Sequence, residues 1–86
     1  MNMRALTWAW DRHGGGQEGK LALLFLANAL PEGESSAEVT RGGIADFALV
    51  AEAEVSRVLA TLSQSGLLAD WEDREGRISY RLPIAS

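Results

Sequence analysis

Lys20–Leu30 is rich in leucine and alanine, holds neither glycine nor proline, and stops at Pro31, which predicts a helix. Its apolar residues do not form one stripe. Leu21, Leu24 and Phe25 lie on one side, while Leu23, Leu26, Ala27 and Leu30 spread over another. A helix apolar nearly all round needs cover on every side. The chain has 86 residues, enough for one domain with a modest core and too few for two. Cover must therefore come from the arm that precedes this helix or from a second subunit. The latter predicts a homodimer, or another protein partner, with Leu6, Trp8 and Trp10 of the arm and Leu23 and Leu26 of the helix as candidate contacts.

The rest of the chain divides cleanly. In the arm, Leu6, Trp8 and Trp10 alternate like a strand, yet the alanine and arginine content suits a helical turn, and a helix is expected. Gly14–Gly16 is a linker, so residues 1–16 form an arm and 17–83 the body of a single domain. Pro31–Ser36 (PEGESS) is a loop, and Ala37–Val39 a short strand. Thr40 can cap a helix over Arg41–Ala48. Gly42 and Gly43 weaken that helix by roughly 1 kcal/mol each against alanine, so packing of Ile44, Ala45 and Phe47 must compensate. Over Glu52–Ser65, Val55, Val58, Leu59 and Leu62 fall at i, i+3, i+4 and i+7, the core stripe of a helix that Gly66 ends as a left-handed cap. Two strands follow, Leu68–Glu72 and Arg77–Leu82, joined by the turn Asp73–Gly76. Trp71 and Tyr80, like Ile78 and Leu82, take alternating positions that point to the core.

Charge and composition limit what such a domain can do. Hydrophobic residues make up 47%, an ordinary globular value, and cysteine is absent, which removes disulfides and thiolate metal sites. No charged-then-apolar leader opens the sequence, and the run Leu21–Ala27 is too short to span a bilayer, so no membrane role and a cytoplasmic location are expected. The net charge is −4. Duplex DNA repels acidic proteins, so a DNA binder with this balance must gather its few cations on one face.

The segment VTRGGIADFALVAEAEVSRVLATLSQSGLL, within Val39–Pro83, resembles winged helix-turn-helix regulators. Ile44 and Ala45 fall in the first helix of the motif, Val50 at its turn, Val55, Val58 and Leu59 inside the second helix, and "SGLL" leads into the wing. The full layout, from ALTWAW through KLALLFLANAL and an acidic loop, is similar to the helix-turn-helix domains of phage, plasmid and actinobacterial regulators and replication proteins. The resemblance implies a mainly α, α+β fold: a winged helix-turn-helix with three core helices plus a two- or three-stranded antiparallel sheet. It also implies a DNA-binding protein of transcriptional or replication type, with double-stranded DNA as partner. Two positions depart from the pattern. Leu49 stands where the family places a turn glycine, a costly residue for positive φ. Ala51 stands where a serine or threonine would cap the second helix.

Carried over to this sequence, the groove-facing residues are Glu52, Ala53, Ser56 and Arg57. Arg57 suits a bidentate contact to guanine, Ser56 a base or phosphate, and Glu52 only a cytosine amino group. Arg74, Arg77 and Arg81 of the wing, with Arg41 at a helix start, are positioned for phosphates. The same residues allow another reading. Glu52 and Glu54 suit the positive end of a helix dipole in a protein that never meets DNA. Cross-strand pairing, with Glu72 opposite Arg77 and Asp70 diagonal to Arg77 and Arg81, would neutralise the wing. The alternative function is a protein-interaction module acting through its acidic second helix or its tryptophan arm.

No catalytic activity is expected. GGGQEGK over Gly14–Lys20 matches a phosphate-binding loop, but Leu21 follows where the motif needs serine or threonine for magnesium. His13 is the sole histidine and lacks the partners of a metal site or a nucleophile. No metal and no cofactor are expected.

Overall fold

The structure is a computed structural model and describes residues 2–12 and 16–84. His13, Gly14 and Gly15, on which part of the loop reading rests, lie outside the described residues. Four helices, α1 (Met3–Trp10), α2 (Gln17–Ala29), α3 (Arg41–Ala48) and α4 (Val55–Gln64), combine with strands β1 (Ser36–Thr40), β2 (Ala69–Arg74) and β3 (Arg77–Arg81). The strands form one antiparallel sheet in the order β1-β3-β2. This is the expected α+β order of helices followed by a hairpin.

The arm is helical because its buried residues are Ala5, Trp8 and Ala9, spaced i, i+3 and i+4. The alternation of Leu6, Trp8 and Trp10 is incidental. Two polar side chains hold α1 in place, one against the loop after α2 and one from α2 itself. Asn2, buried, accepts from the Ala5 amide at 3.0 Å, and its own amide donates to the carbonyls of Pro31 and Glu34 at 2.9 and 3.1 Å. At the other end Lys20 Nζ donates to the carbonyls of Ala9 at 2.9 Å, Arg12 at 2.6 Å and Trp10, closing the carbonyl end of α1. With α1 in place, Leu23 and Leu26 are fully buried inside one chain. They are therefore not available as dimer contacts, while Leu21, Leu24 and Phe25 of α2 remain partly exposed. Trp8 is also buried and Leu6 half-buried; of the five expected contacts only Trp10, 70% exposed, stands out into solvent.

α3 starts as its residues dictate, with Thr40 Oγ1 accepting from the Gly43 amide at 3.0 Å. Gly43 has a packing reason. A Cβ there would stand 3.2 Å from the Phe25 ring and 3.0 Å from Thr40 Oγ1, so glycine lets α2 approach the first turn of α3. The second motif helix begins later than expected. Glu52–Glu54 is a 3-10 turn, Ala51 provides no cap, and α4 proper starts at Val55. Its Val55, Val58, Leu59 and Leu62 are buried as the stripe requires, and Gly66, at φ 76°, ends it while the Leu67 amide donates to the Leu62 carbonyl at 2.9 Å.

On the sheet, Ile78, Tyr80 and Leu82 face the helices, and the Tyr80 hydroxyl donates to the Leu26 carbonyl at 2.6 Å. Burial pushes this phenol above its usual pKa. Trp71 is only half-buried. The hairpin register differs from expectation. Arg74 stands opposite Arg77, and Glu72 opposite Ser79. The connection is a two-residue turn, with Glu75 at φ 55° and Gly76 at φ 87°, the left-handed pair that suits a tight hairpin. A bulge between Ala69 and Glu72, with Asp70 at φ 53°, inserts one further residue.

Candidate interaction surface

The residues expected to meet DNA separate into two groups. Arg41, Ser56 and Glu52 are brought together. The Arg41 guanidinium donates to Asp73 Oδ2 through Nε at 2.8 Å and again through Nη2, to Ser56 Oγ at 2.8 Å and to the Glu52 carbonyl at 2.8 Å. Asp73 in turn accepts from the Gly76 amide at 3.0 Å. The Arg41 amide donates to the Gly76 carbonyl at 2.8 Å. One side chain thus ties the start of α3, the start of the α4 segment and the hairpin turn. The Arg41 guanidinium beside Asp73 holds that carboxyl below the usual carboxylate range. Arg41 and Ser56 are occupied by the fold itself, and the expectation that they face a polyanion gives way to a structural clamp.

Arg57, Arg74 and Arg77 remain on the surface. Arg57 donates to Glu54 Oε2 at 2.6 Å and Glu18 Oε2 at 2.8 Å, and these carboxylates raise its pKa further above that of a free guanidinium. Arg74 pairs with Glu72 at 3.1 Å, Arg77 with Glu38 at 3.0 Å and Arg81 with Asp70 at 3.0 Å. Ion pairing on the hairpin is therefore as extensive as the sequence suggests, and Arg81 meets Asp70 as expected, but Glu72 pairs with Arg74 and Arg77 with Glu38, because the tighter turn shifts the register. Glu38 comes from β1, across the sheet. Lys20 is spent on the end of α1, and Arg12 lies over the Trp8 ring at 5.2 Å. Lys20 so placed is a helix-capping residue, which answers the phosphate-loop match.

Between these pairs the turn from α3 to α4 projects apolar groups. Leu49 takes the left-handed conformation at φ 60° and ψ 43°, which favours glycine, and is 81% exposed. The Val50 amide closes the turn on the Ala45 carbonyl at 3.0 Å. Phe47, expected to pack, is half-exposed and touches Phe25 with ring centroids 5.4 Å apart. Asp46, Glu52, Ala53 and Glu54 are exposed nearby. Beside Leu49 a groove of about 450 Å³ runs between the start of α2 and α4, lined by Leu21, Ala48 and Val58 together with Gln17, Thr61, Glu18 and Arg57. Sequence reasoning missed Asp73, Glu18 and the outward Phe47. A positive-φ leucine was the one signal of this turn that it could use.

Among the described residues no three His, Asp or Glu side chains gather as metal ligands. None of the described helices is long and apolar enough to cross a membrane. Comparisons of the chain with protein families, with curated proteins and with solved structures return no match.

Proposed function

We propose that this chain is a non-catalytic winged-helix module that binds a protein partner through the α3–α4 turn and the start of α4. The observation that carries this reading is the fate of the cations. Arg41, Arg57, Arg74, Arg77 and Arg81, the five arginines positioned for DNA, are each held by this chain's own carboxylates. A duplex would have to displace Asp73, Glu18, Glu54, Glu72 and Glu38 and would meet Glu52 and Glu75 besides. Such a surface offers no continuous positive stripe, and phosphate affinity depends on one. Exposed Leu49 and Phe47 instead give the turn the apolar character of a protein-binding patch.

One observation favours the second reading, DNA binding. The side chains of Arg57, Arg74 and Arg77 are 57%, 78% and 72% exposed. Exposed pairs contribute little, so phosphates can replace their carboxylates at small cost. Fluorescence-anisotropy titration with mixed genomic duplex fragments, at low and at near-physiological salt, separates the readings. Weak binding without preference among fragments is expected. Tight, steeply salt-dependent and fragment-selective binding would restore the DNA reading, and Arg57→Ala should then cost roughly 1–3 kcal/mol and relax one base position.

A further inference from the structure

We propose that the groove beside Leu49 takes an apolar side chain from a basic segment of the partner protein. The inference rests on the protein-binding reading above and names its contact and chemistry. Its first support is Leu49 itself. The left-handed conformation disfavours any residue with a Cβ, and glycine would remove that strain. Exposing a leucine this fully sacrifices its burial as well. Both costs fall on one residue at the mouth of a groove, and backbone strain of this kind concentrates at ligand contacts.

The shape and charge of the surroundings specify what fits. The groove lining joins apolar Leu21, Ala48, Leu49 and Val58 to polar Gln17 and Thr61. Of these, Leu49 is largely exposed. Around the apolar strip stand Glu18 and Glu54, which share the single cation Arg57, and Asp46 and Glu52, which make no ion pair among the described residues. The local excess is negative, so the complementary segment carries Lys or Arg on either side of a Leu, Met or Phe anchor. A second copy of this chain, whose net charge is −4, is repelled overall by this acidic surface.

The test is selection of a random twelve-residue peptide library, displayed on phage, against the full 86-residue protein. Enriched peptides should combine an apolar anchor with flanking Lys or Arg. They should bind Leu49→Gly at least tenfold more weakly, and should lose as much when Glu52→Lys and Glu54→Lys are combined. Leu49→Gly should also melt at a higher temperature than the parent, so that its lost binding is not lost folding. Enriched peptides that bind Leu49→Gly and the parent equally would overturn the groove. If Trp10→Ala abolishes their binding instead, the contact lies on the arm and protein binding as such stands. No enrichment overturns the groove, and steep duplex binding alongside it overturns the protein-binding reading too.

Discussion

The two ends of α3 lie one short helix apart and are built on opposite terms. At its start the polar side chains are used: Thr40 caps the Gly43 amide, and Arg41 joins Asp73, Ser56 and the Glu52 carbonyl. Both members of the Arg41–Asp73 pair are about four-fifths shielded from solvent. At its end Leu49 adopts a conformation that suits glycine and leaves an apolar side chain in water. The same helix thus begins on stabilising contacts and ends on a feature that costs stability. Stabilising contacts mark what the fold needs, and an unrelieved local cost marks where a surface does something other than hold the fold together.

The largest expected effect tests the first half of that contrast. Arg41→Ala leaves the Asp73 carboxylate, Ser56 Oγ and the Glu52 carbonyl short of a donor in partly shielded positions. The thermal midpoint should fall on the order of 10 °C for a domain of this size. A drop no larger than that of an exposed arginine would mean that the clamp is ornamental and that Arg41 is free for phosphate after all. The pH dependence gives the same clamp a sign. Asp73 has a folded pKa below its usual 3.8. Its contribution is therefore fully present above pH 3.8 and lost as pH falls toward the lowered folded value. Asp73→Asn should be less stable at neutral pH and should flatten the acid limb of a stability profile below pH 3.8. An unchanged acid limb would show that Asp73 binds Arg41 no better than solvent does.

Most of the fold is legible in the sequence because it is local. The Val55–Leu62 stripe, the Thr40 cap, the Gly66 stop and the alternation of Ile78, Tyr80 and Leu82 each need only a few neighbouring residues. The strain at Leu49 is legible only through the resemblance, which places a glycine at that turn position. The candidate site is less legible because its partners are remote. Arg41 meets Asp73 across 32 positions, and Arg57 meets Glu18 across 39. Which carboxylate faces which arginine depends on hairpin register, and reading Asp73–Gly76 as the whole turn misplaced Arg77 opposite Glu72. The bulge at Asp70 has no signal in the alternation. Lys20 shows the same limit: GGGQEGK suggests a phosphate cradle, while the lysine closes the end of a helix whose docking the sequence does not state.

Thr40→Ala and Leu49→Gly then test the two ends directly. Losing the cap should cost about 1 kcal/mol in a urea titration. Leu49→Gly should gain somewhat less, about 0.5–1 kcal/mol, because relief of left-handed strain is partly offset by the greater freedom of glycine in the unfolded chain. Opposite signs at opposite ends sharpen the comparison. A loss of stability on Leu49→Gly would break it, for the leucine would then be packing rather than display.

The smallest expected effect is the control on which the contrast depends. Arg77 and Glu38 form an ion pair at 3.0 Å with both side chains more than half exposed. Arg77 also stands opposite Arg74 in the hairpin. Attraction to Glu38 and repulsion across the strands oppose each other in high-dielectric surroundings, and each is small. Arg77→Ala should therefore change stability by no more than about 0.5 kcal/mol. If it costs as much as Arg41→Ala, exposure no longer separates a clamp from a surface pair, and the cations of the hairpin must be assigned to the fold rather than left free for a ligand. If it costs nothing while Arg41→Ala costs much, burial decides which arginines are structural.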